Sequence, residues 1–484
     1  MNSALILILI PLFFSVIIFF SGKKWAPYLS LFSGIVSIFY FLLLMGAYQA
    51  DKSPLAFNTS FFWIPSMRMY FHVGMDAAAI LPLLLTQLVI TLSTGATLVK
   101  GNERGADFYG LIGLTHAALN GFFAAQNPVS FFIFFEAALV PVYLLVLSYG
   151  GPDRKKAVFK FFLYTAFGGL LMLAAILFLQ VHMHDHLRLE SWEDFYQNKL
   201  TLKYQYWLLA AFFIAFAIKS PIFPFHTWQA DLYSQADKPT VMIIAALLSK
   251  MGVYGLIRFD FLFIQALYSW FFYLIPLCLV GVIYGALIAW RQKEIDRILA
   301  YSSLSHMGLI AAGILTLTNK GIQGGLFAML AHGLAVAGLF FVSDVIARRT
   351  QQRGLDGLGG LAKGNPRFAA YFFIIVLSAV GLPLTCGFIG EFYLIWAITD
   401  WQVIWGFVAA VTIILGAAYM LRLYQRTMFG AEHASGKNFG SLSLSEDYVF
   451  IIIVVLILAL GFFPADWIGL GQYAFNHMNY IPTK

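Results

Sequence analysis

Lys219 stands at the end of a membrane-length apolar run, residues 206–218, and is followed at once by Ser220-Pro221-Ile-Phe-Pro224. A charged amine near the centre of a bilayer costs about 2.5–3.5 kcal/mol on insertion scales, so such groups usually mark an ion or proton path. Prolines remove backbone donors and break a helix, and a broken helix is tolerated in a membrane where it lines a cavity or is buried in protein. The combination predicts a proton-handling site.

Few other ionisable side chains lie inside apolar segments. A helix-end lysine or glutamate can extend to the lipid headgroups, but Glu136 lies well inside its segment and Lys250 lies near the middle of its own. A solitary histidine is more often a hydrogen-bonded packing residue than a proton carrier, and this alternative applies above all to His116. The remaining candidates are Glu136, Lys219, Lys250, His306, His332 and Glu391.

These residue types fit a proton relay. Burial weakens the affinity of an amine for its proton and a nearby carboxylate restores it, so movement of the carboxylate switches a lysine between loaded and empty states. We expect Glu136 and Lys219 to form such a pair across two helices. The alternative is a static structural ion pair without a transport role. Beyond the pair, the predicted relay continues through waters to Lys250, His332 and Glu391, with His306 in support.

The composition restricts the class of protein. The chain is 61% hydrophobic and 11% charged, with a mean hydropathy of +0.80, which is typical of an integral membrane protein. Its net charge of +7 comes from short basic clusters between apolar segments, so nucleic-acid binding is not predicted. Cys278 and Cys386 lie far apart in apolar runs, and neither a metal site, an iron–sulfur site nor a disulfide framework is indicated.

Hydropathy predicts an all-α integral membrane protein with about fourteen transmembrane helices and no separate soluble domain. The first segment lacks a preceding basic region and a small-residue cleavage site, so we expect a retained helix. The predicted segments are 2–21, 26–47, 76–99, 108–126, 128–149, 158–181, 206–221, 239–258, 264–290, 297–317, 322–345, 368–395, 403–427 and 447–469.

The distribution of Lys and Arg predicts the orientation in the membrane. Most of these residues lie in odd-numbered connections between segments, for example at 154–156, 291–297 and 348–353. Cytoplasmic loops carry an excess of basic residues. We therefore expect the odd-numbered connections to face the cytoplasm and both termini to face outward. Lys219 and Lys250 belong to no connection.

Two interrupted segments indicate an internal repeat. The seventh segment breaks at Lys219-Ser-Pro, and the twelfth breaks at Gly381-Leu-Pro383 with Glu391 shortly after it. Matching interruptions in two halves are typical of transporters built from repeats. We predict two inverted five-helix repeats, helices 4–8 and 9–13, with Lys219 and Glu391 at equivalent positions. The predicted units are 1–105 with helices 1–3, 106–260 and 261–428 with the two repeats, and 429–484 with helix 14 and the tail.

Five motifs that surround the buried charges stand out in the sequence: Phe-Phe-Glu-Ala-Ala-Leu-Val-Pro (134–141), Lys-Ser-Pro-Ile-Phe-Pro-Phe-His-Thr-Trp (219–228), Leu-Leu-Ser-Lys-Met-Gly-Val-Tyr-Gly (247–255), Ala-Tyr-Ser-Ser-Leu-Ser-His-Met-Gly (300–308) and Gly-Phe-Ile-Gly-Glu-Phe (387–392). In this order they resemble the antiporter-like subunits of respiratory complex I, and the resemblance covers about residues 70–430. On the helix that carries Glu391, the L and N subunits of that family typically have lysine, so this glutamate favours the remaining antiporter-like subunit.

The resemblance implies a proton-translocating membrane-arm subunit of an NADH:quinone oxidoreductase in the bacterial inner membrane, beside the L and N subunits. It also implies that His226 and Asp231 support the relay, because they match the family's His-x-Trp-x-x-Asp pattern. One departure is Ser234-Gln-Ala-Asp-Lys-Pro-Thr240, where the family reads closer to His-x-Glu-Ala-Pro-Thr. The family's five relay positions correspond to Glu136, Lys219, Lys250, His332 and Glu391.

The redox chemistry is expected on other subunits. The run Gly357-Leu-Gly359-Gly-Leu follows an Arg-rich helix end rather than a strand, so it is interpreted as a loop and not as a dinucleotide site. FMN, iron–sulfur clusters and quinone are then bound elsewhere, and no cofactor or metal is expected on this chain. Two alternatives stay open: a subunit of a multi-subunit Na⁺/H⁺ antiporter or membrane-bound hydrogenase, and a structural scaffold without its own proton path.

Overall fold

The computed structural model describes residues 3–51, 55–65, 69–98, 104–182, 190–196, 200–431 and 439–479. Within these residues the chain is helical apart from one short hairpin, which confirms the predicted fold class. Several basic residues used to predict the orientation lie outside the described part, so that prediction is only partly represented in the structure. They are Lys52, Arg68, Lys100, Arg188, Lys199 and Lys437.

The first part of the chain contains the hairpin that hydropathy did not predict. Its two antiparallel strands pair Phe61 with Phe71, whose rings stack at 5.0 Å. Aromatic residues favour strands, but a window that averages hydropathy over a membrane span does not detect so short an element. The elements are α1 (Ala4–Phe19), α2 (Ala26–Asp51), β1 (Ala56–Ile64), β2 (Met69–Met75) and α3 (Ala77–Thr97).

Prolines and the Lys219 break divide the predicted first repeat into helices of unequal length. Pro141 removes a backbone donor near the start of the helix that follows Glu136, and the segment is split there. The elements are α4 (Ala106–Ala124), α5 (Pro128–Ala137), α6 (Leu139–Tyr149), α7 (Arg154–His182), α8 (Trp192–Tyr196), α9 (Leu202–Lys219), α10 (Gln229–Gln235), α11 (Lys238–Ile243), a π-helical turn (Ile244–Leu248) and α12 (Ser249–Phe259).

The predicted second repeat and the C-terminal part follow. A helix after the fourteenth predicted segment, α21, was not foreseen. The elements are a 3₁₀ turn (Asp260–Phe263), α13 (Ile264–Arg291), α14 (Ile295–Leu315), α15 (Asn319–Thr350), a second 3₁₀ turn (Leu355–Gly357), α16 (Leu361–Gly364), α17 (Pro366–Ala379), α18 (Cys386–Trp401), α19 (Val403–Met428), α20 (Leu444–Phe462) and α21 (Ala465–Asn479).

Membrane-length helices differ in how deeply they are buried. The apolar windows of α14 and α15 are each 94% buried and that of α3 is 89% buried, whereas those of α2 and α19 are only 33% buried. Helices α3, α14 and α15 therefore form the centre, whereas α2 and α19 present apolar surface that suits lipid. Nine helical stretches of the described chain are long and apolar enough to cross a membrane. The count of fourteen crossings stays a prediction, because the broken segments are divided into shorter pieces.

The two broken helices end with the same hydrogen-bond pattern. At the first break the Ile222 N–H donates to the Ala217 carbonyl at 2.8 Å, and at the second the Leu382 N–H donates to the Leu377 carbonyl at 2.9 Å. If these bonds set the register, Lys219 corresponds to Ala379, and not to Glu391 as predicted. The prediction matched the two charges, but the turn that closes each helix places Glu391 twelve residues further along.

A buried ion pair joins the ends of α3 and α12. Arg258 donates to both carboxylate oxygens of Asp76 at 2.5 and 2.7 Å, and its side chain is 1% exposed. Asp76 also caps α3 by accepting from the Ala79 N–H at 3.0 Å. Arg258 stands at the very end of the predicted segment 239–258, and the structure places it in α12. An apolar window does not distinguish an arginine at a helix end from one in the loop beyond it.

Replacing Arg258 by leucine should destabilise the protein by about 3–5 kcal/mol, because the buried Asp76 carboxylate loses its partner. The measurement is the midpoint temperature of thermal denaturation of the purified assembly. Lys293→Ala is the matched control, since the Lys293–Asp356 pair is largely exposed and should contribute little. Equal midpoints for Arg258→Leu and the control would contradict the assignment.

Candidate functional site

Glu136 and Lys219 lie close together without forming a contact ion pair. Glu136 is at the end of α5, where its carboxylate lies directly over Gly169 of α7. The Lys219 ammonium donates to the Phe135 carbonyl at 3.4 Å and lies 4.4 Å from the centre of the Phe135 ring. The two charges interact electrostatically across this short gap. The predicted pairing is therefore an interaction between neighbours, with the Phe135 backbone and ring holding the lysine.

Two serines hold the helices of the two lysines together. The Ser220 hydroxyl, next to Lys219, donates to the Ser249 carbonyl, next to Lys250, at 2.6 Å. This close approach requires a glycine, because a Cβ at Gly252 would overlap the Phe216 carbonyl and the Ser220 hydroxyl. The break at Lys219 and the start of α12 are thus fixed against each other.

A π-helical turn positions Lys250. The widened turn, Ile244–Leu248, leaves the Ala245 carbonyl free to accept from the Lys250 ammonium at 2.8 Å and from the Ser249 hydroxyl at 2.7 Å. Lys250 has no exposed surface, so these oxygens replace the water that its charge would otherwise need. Single π turns inside α-helices occur frequently at functional sites.

From Lys250 a polar row of four side chains crosses to the second half of the chain. The Lys250 ammonium lies 2.8 Å from His332 Nδ1 on α15. The His332 and His306 rings lie 5.3 Å apart, and His306 Nδ1 lies 3.1 Å from Glu391 Oε1 on α18. We call Lys250, His332, His306 and Glu391 the polar row. His306, predicted only to support the relay, lies between His332 and Glu391.

A small cavity adjoins the far end of the polar row. It has a volume of about 20 Å³, enough for one water molecule, and is lined by His306, His332, Ser378 and Glu391. Within the described residues, His306 Nε2 and Glu391 Oε2 are buried without a hydrogen-bond partner, so both have hydrogen-bonding capacity left for this space. Gly381, with φ of +69°, carries no Cβ that would overlap the Glu391 carboxylate.

The other sequence candidates lie outside the polar row. His226 is buried against Phe223 and Tyr284, with ring centroids 5.7 and 5.1 Å away. The Asp231 side chain is 41% exposed and pairs with Lys160 at 2.9 Å and with Arg297 at 3.8 Å. The structure thus separates both residues from the row that they were expected to support.

His116 joins a different hydrogen-bond network. Its Nε2 lies 2.8 Å from Gln87 Oε1, and the Gln87 amide donates to Asn120 at 2.6 Å. This arrangement matches the packing role that the sequence suggested as the alternative for a solitary histidine.

Sequence reasoning missed four supporting residues: Ser220, Ser249, Gly169 and Gly381. The serines carried a usable signal, because each stands directly beside a buried lysine in the chain. Gly381 indicated the break but not its place under a carboxylate, and Gly169 carried no signal, since glycine is common throughout the apolar segments.

Comparison with known proteins gives one consistent family. The family described as NADH:quinone oxidoreductase/Mrp antiporter, TM matches residues 125–416. The NADH-quinone oxidoreductase subunit M of Rickettsia prowazekii is 34% identical over 455 residues, covering 93% of this chain and 92% of that protein.

Solved structures agree with this result. A chain of respiratory complex I from Thermus thermophilus superposes with a TM-score of 0.91 at 29% identity, covering 99% of this chain and 100% of that one. A chain of the Mrp complex from Dietzia sp. DQ12-45-1b shares the fold with a TM-score of 0.87 at 20% identity, covering 100% and 98%.

Gly169→Ala should disturb the site while leaving the fold intact, because a Cβ there overlaps the Glu136 carboxylate and must displace it from Lys219. The expected result is a loss of proton transport by about a hundredfold or more in membrane vesicles, since a positioned proton-transfer group contributes about 10²–10⁴-fold. Gly46→Ala is the control, since nothing lies within 4 Å of that Cβ. Transport by Gly169→Ala at the level of the control would show that the Glu136 position is not critical.

Proposed function

The chain belongs to the NADH:quinone oxidoreductase/Mrp antiporter membrane family, and from this premise we propose that it is subunit M of a bacterial NADH:quinone oxidoreductase, where it translocates protons. The family match and the 34% identity to a named subunit M support the assignment. Glu391 favours the same subunit, because the L and N subunits typically carry lysine on the corresponding helix.

The observation that carries the proposed activity is the unbroken polar row. Its members come from α12, α15, α14 and α18, yet each lies against the next at hydrogen-bonding or ring-contact distance. Amine, imidazole and carboxylate groups can each accept and release a proton in turn. Burying four such groups among apolar helices costs free energy, and groups of this kind usually mark a path that carries charge across the membrane.

The first half of the site supplies a means of control. When the Glu136 carboxylate is charged it attracts positive charge on Lys219, and when it is neutralised that attraction ends. Lys219 then releases its proton toward the region where Ser220 contacts Ser249, beside Lys250. Lys250 passes the proton to His332, which must be neutral to accept it, and His306 and Glu391 follow. The Lys250 amine is regenerated for the next cycle.

Electron transfer belongs to the rest of the assembly in this proposal. FMN, iron–sulfur clusters and quinone are bound by other subunits, and this chain responds to charge changes passed on by its membrane neighbours, subunits L and N. The apolar outer faces of helices such as α2 and α19 suit both lipid and such neighbours. In this proposal the chain lies in the bacterial inner membrane, with both termini outside the cytoplasm.

Lys250→Gln should lower proton pumping and coupled NADH oxidation by about tenfold or more, because the amide cannot carry the proton that the polar row transfers. Both rates are measured in inverted membrane vesicles with the complex assembled. Lys320→Gln is the control, since Lys320 pairs at the surface with Asp400. Normal pumping by Lys250→Gln would favour a scaffold role and overturn the proposed function.

The identity of the assembly is tested by purification. An affinity-tagged chain is expected to copurify with flavin- and iron–sulfur-containing subunits, identified by mass spectrometry and by their absorbance. Recovery with only small membrane subunits of an Na⁺/H⁺ antiporter would instead assign the chain to that branch of the family. The two outcomes are separable even if every pumping variant behaves as expected.

A further inference from the structure

Three buried polar atoms beside the polar row have no hydrogen-bond partner within the described chain. They are the Tyr233 hydroxyl, the Gln229 amide nitrogen Nε2 and the Ser303 hydroxyl. Tyr233 and Ser303 are at most 1% exposed, and Gln229 is 2% exposed. Most buried polar side-chain atoms in proteins have a partner, so each exception calls for a reason.

These atoms belong to one polar chamber next to Lys250. The Tyr233 hydroxyl lies beside the side chains of Gln229, Ser249 and Ser303, without a well-directed hydrogen bond to any of them. The Ser249 hydroxyl in turn lies 3.2 Å from the Lys250 ammonium. We call Gln229, Tyr233, Ser249 and Ser303 the delivery chamber. It joins the polar row at Lys250 and comes from the side of α10 and α14.

Packing fixes the direction of the Tyr233 side chain. Its ring contacts Phe340 of α15 edge to face at 5.6 Å, and the residue is fully buried. The hydroxyl therefore cannot turn to solvent, and it remains inside the chamber although no group in the described part of the chain satisfies it there. An oxygen held in this way suits a hydroxyl that exchanges hydrogen-bond partners, since it can accept from one neighbour and donate to another.

The helix that carries Ser303 also contacts the Asp237-Lys238 dipeptide, where the sequence departs from the family pattern. Ser303 and Asp296 are seven residues apart on α14, so they share a helix face about 10 Å apart along the axis. Asp296 pairs with Lys238 and accepts from Ser343 at 2.6 Å. This ionic cluster thus lies two helical turns above the chamber, at the end of the molecule that the basic residues predict to be cytoplasmic.

Asp237 adds a carboxyl at the same end. It pairs with Arg104 at 3.3 Å through one oxygen, while its other oxygen and the Thr240 hydroxyl are buried without a well-formed hydrogen bond to any described residue. Burial raises the pKa of the Asp237 carboxyl above its ordinary value, and Arg104 opposes the effect. A carboxyl in this setting holds a proton more readily than one in water.

We propose that Tyr233 is a proton-delivery residue that transfers protons from the α14 side of the delivery chamber, at Ser303, to Lys250. The inference rests on the proposed function and extends it, because it assigns a second route by which the polar row is loaded, in addition to the proton released by Lys219. The Tyr233 oxygen accepts a proton from the Ser303 side and releases its own proton to the Ser249 oxygen. Ser249 passes a proton to the neutral Lys250 amine, which becomes an ammonium. Each hydroxyl regains one proton for the one it loses.

The test compares Tyr233→Phe with the parent complex in reconstituted vesicles. Phenylalanine keeps the ring and its contact with Phe340, and it removes only the hydroxyl. Coupled turnover is expected to fall by about tenfold, since one positioned proton-transfer group is lost. The deuterium isotope effect on turnover is expected to rise, because delivery of the proton to Lys250 becomes rate-limiting. A structural role would not change the isotope effect.

Two further variants separate the hydroxyl from packing. Tyr109→Phe is the matched control, because Tyr109 is equally buried but its hydroxyl donates to Thr97 at 3.0 Å in a different part of the chain. Its turnover and isotope effect should equal those of the parent. Ser303→Ala should behave like Tyr233→Phe. Ser303→Thr keeps a hydroxyl at this position and should retain the turnover of the parent.

The outcomes distinguish the delivery chamber from the proposed function. If Lys250→Gln loses pumping while Tyr233→Phe retains the parent's turnover and isotope effect, the delivery chamber is overturned and the proposed function stands. A slower Tyr233→Phe with an unchanged isotope effect also overturns it, because that result indicates a packing defect. If Lys250→Gln pumps normally, the proposed function fails, and the delivery chamber fails with it.

Discussion

The site depends on how the protein accommodates the charge of Lys250 in a place that water does not reach. An ammonium without exposed surface must find oxygen or nitrogen partners inside the protein, or give up its proton. It has three partners: the Ala245 carbonyl of the π-helical turn, the Ser249 hydroxyl and the His332 ring of α15. The two oxygens stay in place, whereas the imidazole can bind or release a proton. The lysine is therefore held in position in both protonation states, and only its contact with His332 changes character.

Broken helices meet the same requirement at the edges of the site. A helix that ends inside the membrane exposes carbonyls that must be satisfied by the protein. At both breaks an N–H bonds the carbonyl five residues earlier, and the turn that follows brings polar atoms toward the centre. Lys219 uses the first break to reach the Phe135 carbonyl. The second break uses a left-handed glycine, Gly381, to make room for Glu391. Local backbone chemistry thus decides where charge is placed.

Much of this arrangement could be predicted from the sequence. Charges inside apolar runs are rare enough to identify Lys219, Lys250, His332 and Glu391, and Pro221 with Pro224 indicates the first break. The order of contacts could not be predicted, because His306 reaches Glu391 only through the packing of α14 against α18. The equivalence of the two breaks differs between the two criteria: matching the charges aligns Lys219 with Glu391, whereas matching the closing hydrogen bonds aligns it with Ala379. The Arg258–Asp76 pair joins residues 182 positions apart, and no local pattern indicates it.

The residue type at position 391 determines the electrostatics at the end of the polar row. Glu391 lies 3.1 Å from His306, so its carboxylate attracts positive charge toward that ring, whereas the lysine of the L and N subunits would repel it. Glu136 acts on Lys219 at the other side of the site in the same sense. The chain thus has an acid near each end of a series of bases, and each acid occupies space kept open by a glycine, Gly169 or Gly381. A proton that neutralises either acid releases the attraction on the neighbouring base, so a charge change at one end alters the equilibrium of a group deep inside the protein. This is the property that a subunit needs if its protons are to be moved by redox chemistry that takes place elsewhere.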